Sequence, residues 1–253
     1  MLTPLDMHAH IEPGIAPPEL DRLGACIVAV TRSLAEYKDV VARNDHSVVW
    51  GVGCHPGLAK AVRSFSRDAF RAALASAPVV GEVGLDGSAK VPLATQQAIF
   101  DDVIRALVET PRIVSVHSYR ATRQVLNTIE RYRSKGVVLH WWLGDTLLTK
   151  RAVALGCFFS VNAASVQRTE SLAAIPLDRV LTETDHPFGD RRAPAPRRPG
   201  RIESVERVLA DHYRISSTEM RRQIWRNLRC LVHQTEVSGL LPGALRAELA
   251  AIP

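Results

Sequence analysis

Two histidines stand one residue apart in the stretch Asp6-Met7-His8-Ala9-His10. An extended strand turns alternate side chains to one face, so both imidazoles can reach a single metal ion. More groups of ligand type follow at wide intervals, each closing a short β-branched run. They are Glu82 after Val79-Val80-Gly81, His117 after Ile113-Val114-Ser115-Val116, His140 after Val137-Val138-Leu139, and Asp185 after Val180-Leu181-Thr182-Glu183-Thr184. Imidazole mixed with carboxylate suits divalent metals and the activation of water. Any one of these residues has an ordinary structural explanation, such as a satisfied core histidine or a capping carboxylate. Their shared placement at the ends of separate apolar runs does not, because an unpaired charge there would be costly and a bound cation removes the cost.

The runs that carry these residues set the architecture. Eight strand-like segments are predicted: Leu2 to Met7, Ala25 to Val30, Val48 to Gly53, Val79 to Glu82, Ile113 to His117, Val137 to His140, Cys157 to Val161 and Val180 to Asp185. Helical spacing of apolar residues marks Leu34 to Arg43, Ser66 to Ala77, Thr95 to Glu109, Ala121 to Lys135 and Leu147 to Leu155. Eight alternations of this kind predict a (β/α)8 TIM barrel formed as a single domain over residues 1–253. In such a barrel the active face is the rim at the C-terminal ends of the strands. Strands 1, 4, 5, 6 and 8 would supply ligands to that rim, and strand 3 adds His55 in Gly53-Cys54-His55-Pro56. Asp6 shares the face of His8 and His10 at greater depth and is expected to orient an imidazole. Asp86 is expected either near the metal or as a loop residue bonding to backbone. Of the neighbouring Trp141 and Trp142, one is expected in packing and one at the pocket or against a base.

A chain of 253 residues that is 46% hydrophobic can bury one large core. It has no apolar run near the roughly 20 residues needed to span a membrane, and its first residues lack a signal-peptide pattern. The expectation is a soluble, cytoplasmic protein with no membrane contact. Cys26, Cys54, Cys157 and Cys230 are far apart and show no C-x-x-C spacing, so the cysteines indicate neither a zinc site nor a disulfide framework. The net charge of +6 favours polyanionic partners, with DNA or an acidic small molecule as candidates.

The one strongly biased stretch is Asp190 to Arg207, which holds six arginines and three prolines. It is expected as an exposed loop on the active face, ahead of a helix near Val205. Ser216 and Ser217, followed by Glu219, are expected to cap a helix from Thr218 to His233. Arg191, Arg192, Arg197, Arg198 and Arg201 could hold phosphates through their forked guanidinium groups, or could form a solvated or protein-docking surface.

Taken together, these stretches resemble the TatD family of metal-dependent deoxyribonucleases, within the amidohydrolase-type barrels. The resemblance rests on D-x-H-x-H at Asp6, His8 and His10, G-x-H-P at Gly53 to Pro56, and G-E-V-G-L-D at Gly81 to Asp86. It continues through V-H-S at Val116 to Ser118, the strand-ending His140, and T-E-T-D-x-P at Thr182 to Pro187, with Gln96, Phe100 and Asn227 also at similar places. The resemblance implies two divalent ions, Mg2+, Mn2+ or Zn2+. His8, His10 and Asp185 would hold one, His117 and His140 the other, and Glu82 would bridge them. Asp185 and Glu82 would be catalytic, His55 would contact a phosphate oxygen, and the substrate would be single-stranded DNA or a 3′ end, cut by a monomer.

Three stretches depart from the family pattern. Tyr119 stands where arginine is usual and Arg120 follows it, which leaves the phosphate contact after strand 5 open. Gly87-Ser88 replace common aromatic residues, and the arginine-rich loop replaces a short Asn-Glu-Pro element. The short barrel and altered loops also resemble TatD-type members of bacterial anti-phage systems of the Qat type, which implies a partner-dependent nuclease subunit as one alternative. Hydrolysis of a small ester, lactone or amide is the other. Binuclear barrels with that chemistry commonly carry a modified lysine on strand 4, where this chain has Glu82.

Overall fold

The computed structural model describes residues 2–167 and 169–252. Eight strands run in chain order: β1 (Leu5–Ala9), β2 (Cys26–Val30), β3 (Val48–Gly51), β4 (Val79–Gly84), β5 (Ile113–His117), β6 (Val137–Leu139), β7 (Phe158–Val161) and β8 (Val180–Thr182). Each neighbouring pair within β1–β3 and within β4–β8 is parallel. Parallel strands covered by helices on the outside are buried on both faces, which is why these segments read as unbroken apolar runs rather than alternating ones. All residues of every strand but β5 are buried, and in β5 the exception is His117.

Two seams close the cylinder. Between β3 and β4 there is a parallel bridge, Val52 to Val80, in which the Val52 N–H donates to Val79 O at 3.1 Å and the Gly81 N–H to Val52 O at 2.9 Å. Gly53 lets the chains approach there: a β-carbon on it would lie 1.9 Å from Thr31 O and 2.5 Å from Glu82 N. Between β8 and β1, side chains and the loop after β8 stand in for a ladder. Thr182 Oγ1 donates to Leu5 O at 2.6 Å, the Asp185 N–H to His8 O at 2.8 Å, and the His10 N–H to His186 O at 3.0 Å. The buried Asp6 carboxylate completes this seam. It accepts from Thr184 N at 2.8 Å, Thr184 Oγ1 at 2.6 Å, Gly200 N at 2.8 Å and His8 N at 3.3 Å. Asp6 therefore bonds to backbone and a hydroxyl, not to an imidazole, which corrects the role expected of it. Burial pushes its carboxyl up to about 7 despite those donors.

Most predicted segments appear with shifted ends. The first strand starts later and runs on to Ala9, so His8 lies inside it, and β8 stops at Thr182, so Asp185 sits in the following loop at φ 45°. The predicted helices form as Leu34–Val40, Arg67–Ala73, Leu93–Glu109, Thr122–Tyr132, Thr146–Ala154 and Ser217–Thr235. Ser216 caps the last of these, accepting from Glu219 N at 3.1 Å. Another helix, Gly243–Ala250, was not foreseen. Gln96 and Asn227 act as internal ties. Gln96 pairs with the backbone of Asp86 at 2.7 and 3.0 Å, and Asn227 Nδ2 donates to Val180 O at 2.7 Å. The four cysteines are free, with Cys26, Cys54 and Cys157 buried. Among the described residues no helix is long and apolar enough to cross a membrane.

A second buried carboxylate anchors the face away from the rim. Asp45 accepts from Arg43 Nε and Nη2 and from Trp50 Nε1, all at 2.7 Å. Burial raises its carboxyl, but the Arg43 and Trp50 donors outweigh it and hold the group below the ordinary value of 3.8. Asp45→Ala leaves Trp50 Nε1 buried and unpaired and should lower stability by about 2–4 kcal/mol at neutral pH. Because the folded pKa is depressed, that contribution is fully present above 3.8 and is lost as the pH falls through the folded value. Urea denaturation at pH 7 and pH 3 checks this: the gap between wild type and variant should shrink at pH 3, and a gap under about 1 kcal/mol at pH 7 would refute the role.

Candidate metal centre

The rim gathers the residues singled out from the sequence around Glu82, which is buried within β4. His8 reaches it from β1, His10 from just beyond β1, His117 from the end of β5, His140 from just beyond β6, and Asp185 from the loop after β8. The two carboxylate oxygens face different groups. Glu82 Oε2 is 3.8 Å from His8 Nε2 and 3.4 Å from His10 Nε2, and Asp185 Oδ1 is 3.7 and 3.5 Å from the same nitrogens. Glu82 Oε1 is 2.6 Å from His117 Nδ1 and 2.9 Å from His140 Nε2, which are themselves 3.2 Å apart. The His8 and His140 rings stack with centroids 4.0 Å apart, which brings the two groups side by side.

The atoms around Glu82 Oε2 fit a divalent ion better than they fit one another. His8 Nε2 and Glu82 Oε2 are buried without a hydrogen-bond partner, although buried polar atoms are nearly always paired. Ligands about 2.1 Å from a tetrahedral ion stand about 3.4 Å apart, close to the separations around Glu82 Oε2. Three sets of side chains converge closely enough to share an ion: His8, His10 and Asp185; His8, Glu82 and His140; and His55, Glu82 and His117.

The charge states agree with a site built to receive cations. Burial opposes ionisation of Glu82, yet His55 and His140 outweigh it and hold the carboxyl well below the usual range. Burial, reinforced by His140, keeps His8 well below its ordinary value and so neutral. At His10 burial acts in the same direction, but Asp185 and Glu82 prevail and push the ring up to about 9. A divalent ion would displace that proton.

The supports behind these groups were largely missed from the sequence. Ser115 Oγ lies 2.7 Å from His8 Nδ1, Glu183 Oε1 is 3.7 Å from His140 Nδ1, and Asp86 Oδ2 is 3.4 Å from His117 Nε2. Glu183 is fully buried, accepting from Trp141 N at 3.0 Å, from Asn162 Nδ2 at 2.9 Å and from Ser160 Oγ. Alternation held the signal for Ser115, two residues before His117 on β5; Glu183 and Asp185 lie beyond the end of β8, where alternation gives no face.

His55 also lies at the site, with Nε2 3.5 Å from Glu82 Oε2. Its Nδ1 accepts from Gly57 N at 3.0 Å, so in the neutral ring the proton is on Nε2, which points into the cavity as a donor. Burial keeps this ring below its ordinary value. The catalytic cavity, about 250 Å3, is lined by His10, His55, Glu82 and Asp185, and also by Arg32 and Phe188, which sequence reasoning did not pick out. Arg120 lies off this cavity, in a neighbouring one beside His117 and His140.

Of the loop arginines, Arg191 is linked to the site through Phe188: its guanidinium lies 5.9 Å from the ring centroid, and that ring lies 5.6 Å from His10. Arg192 and Arg198 are exposed. Arg197 and Arg201 donate to the loop's own carbonyls, Arg191 O at 3.2 Å and Pro196 O at 2.7 Å. None of the five lines the catalytic cavity.

With this geometry in place, comparison with known proteins is informative. A family profile described as TatD related DNase matches residues 5–233. The Deoxyribonuclease Tat-D of Schizosaccharomyces pombe is 32% identical over 44% of this chain and 38% of its own length. The 3′-5′ ssDNA/RNA exonuclease TatD of Cronobacter sakazakii is 30% identical over 57% of this chain and 59% of its own length. The matched stretches thus span less than two thirds of those relatives. An uncharacterized metal-dependent hydrolase of Escherichia coli K12, YcfH, is 25% identical over 90% of both chains. Among solved structures, the TatD homologue YJJV of Escherichia coli K12 superposes with a TM-score of 0.76 at 22% identity, over 89% of this chain and 97% of that one. A TatD family hydrolase of Entamoeba histolytica gives 0.74 at 15% identity, over 91% and 98%. These two likenesses show the fold.

Proposed function

The chain belongs to the TatD-related DNase family, and from that premise we propose that it is a metal-dependent phosphodiester hydrolase that shortens single-stranded DNA from the 3′ end. The observation that carries this reading is the division of Glu82 between two histidine groups, one carboxylate oxygen to each. His8, His10, Asp185 and Glu82 Oε2 would hold one divalent ion, and His117, His140 and Glu82 Oε1 a second. When bound, such a pair lowers the pKa of a water and neutralises charge on the phosphate.

The chain's own groups supply the rest. Asp185 Oδ1 faces His8 and His10, which leaves Oδ2 to accept a proton from the attacking water. His55 Nε2 donates to a non-bridging phosphate oxygen, and Arg32 faces the same cavity with its guanidinium steadied by Glu36 at 3.2 Å. Ser115 fixes the His8 imidazole by a hydrogen bond, and the Glu183 and Asp86 carboxylates stand beside His140 and His117 as charge partners.

The direct test is incubation of 5′-labelled single-stranded DNA with Mg2+, Mn2+ or Zn2+. The expected result is a ladder shortening from the 3′ end that EDTA abolishes. Intact DNA together with hydrolysis of p-nitrophenyl esters would overturn the reading in favour of a small-molecule hydrolase.

Salt dependence tests the loop. If Arg191 and Arg192 contact phosphates, replacing both by Gln should flatten the dependence of log K on log salt by about 1.4, at about 0.7 per contact for a single strand. An unchanged slope would assign the loop to solvent or to a protein partner.

A further inference from the structure

Beside the catalytic cavity lies a larger one, of about 580 Å3, that the chemistry described so far does not use. His117 and His140 form its inner wall, and Tyr119, Arg120, Trp141 and Leu143 form its outer wall. The volume falls within the range of small-ligand sites. Among the described residues its lining holds no carboxylate, and beyond the two histidines the charged side chain in it is the Arg120 guanidinium. Such a pocket suits a flat, uncharged ring attached to an anionic group.

The walls are built, not incidental. Arg120 and Trp141 both have left-handed backbones, φ 52° and 39°, which bulky residues adopt at an energetic cost and which cluster at functional sites. Each is held there by a specific contact. The Trp141 N–H is fixed by the buried Glu183 carboxylate at 3.0 Å. Beneath Arg120, the Gly87 N–H donates to Tyr119 O at 2.8 Å, and a β-carbon on Gly87 would come within 2.5 Å of Arg120 O. The two aromatic residues are also treated differently from their neighbour. Trp142 is buried and donates from Nε1 to Thr149 Oγ1 at 2.8 Å, whereas Trp141 is half-buried and lines both cavities. Tyr119 is 42% exposed with the Arg120 guanidinium 5.5 Å from its ring centroid, so an aromatic and a cationic surface are presented together.

We propose that this cavity is a nucleobase subsite, in which the base flanking the scissile phosphate stacks on Trp141 and Tyr119 while Arg120 holds an adjacent phosphate. The proposal rests on the phosphodiester reading and extends it: the enzyme takes unpaired nucleotides, because a base inside a duplex cannot leave its stack to enter the pocket without first being unpaired. The Tyr119-Arg120 pair thereby has a use, with the aromatic ring binding the base and the displaced arginine the backbone. Stacking on aromatic side chains is sequence-tolerant, so the subsite selects for strandedness rather than for a particular base.

The test compares two fluorescein-labelled tetramers with hydrolysis-resistant phosphorothioate linkages, one of thymidine and one abasic, by anisotropy with Mg2+-loaded protein. The thymidine tetramer should bind at least about fivefold more tightly. Tyr119→Ala and Trp141→Leu should each remove most of that difference, and Trp141→Phe should restore it. Equal affinity for the two tetramers, no binding of either, or a base preference that survives both substitutions would overturn the proposal. Cleavage of the unmodified thymidine tetramer is scored separately. Cleavage without a base preference removes the subsite and leaves the hydrolase, whereas a base preference without cleavage supports the subsite and removes the hydrolase.

Discussion

Glu82→Ala should lower kcat/KM for single-stranded DNA by at least about 1,000-fold and strip the purified protein of most of its metal. The size of the effect follows from geometry. Glu82 Oε2 faces His8 and His10, and Oε1 faces His117 and His140, so its loss removes the shared ligand of both groups at once. Glu82→Gln tests charge apart from shape, since the amide keeps one oxygen acceptor but cannot bridge as an anion, and it should behave much like Ala. EDTA should reproduce both variants in the wild type. Because ions bind the folded chain, their removal should also lower Tm, by about 5–10 °C for each ion if loading is near 100 times Kd. Metal content, Tm and kinetics together decide the matter. Full metal occupancy with more than about a tenth of wild-type activity in Glu82→Ala would sink the bridging role.

The second large effect concerns the seam. Asp6→Ala should destabilise the protein by about 3–5 kcal/mol, because it leaves the Thr184 and Gly200 N–H groups and the Thr184 hydroxyl buried without their acceptor. Asp6→Asn keeps one oxygen but turns an amide N–H toward a donor, and should cost roughly half as much. Activity should fall as well, since Thr184 adjoins Asp185 and a loosened seam shifts that carboxylate relative to His8 and His10. Urea denaturation with a DNA cleavage assay on the same samples would check this. A loss of activity without a loss of stability would mean that Asp6 acts on the site directly and not through the seam.

Much of the site was legible because barrel chemistry and barrel sequence share one rule: inward or rim-facing ligands terminate apolar runs. That rule found His8, His10, Glu82, His117, His140 and Asp185, all of which converge. It failed for Asp6, which shares the face of the histidines yet bonds across the β8–β1 seam, since alternation gives a face and not a partner. It was silent on Arg32 and Phe188, which reach the cavity from loops whose course no periodicity encodes. It left open which tryptophan packs and which faces the pocket, because that choice is made by the left-handed backbone at Trp141 and the Glu183 carboxylate that holds it.

The loop after β8 is fastened at two posts. At one end the Phe188 and Gly189 N–H groups donate to Asp185 O at 2.7 and 2.8 Å, and at the other Gly200 N–H donates to Asp6. The first post, Asp185 with Phe188 beside it, lines the catalytic cavity, whereas none of the residues from Gly189 to Gly200 does. The arginine-rich stretch is thus an exchangeable cassette. Its exposed arginines can therefore be exchanged by design without altering a residue of that lining.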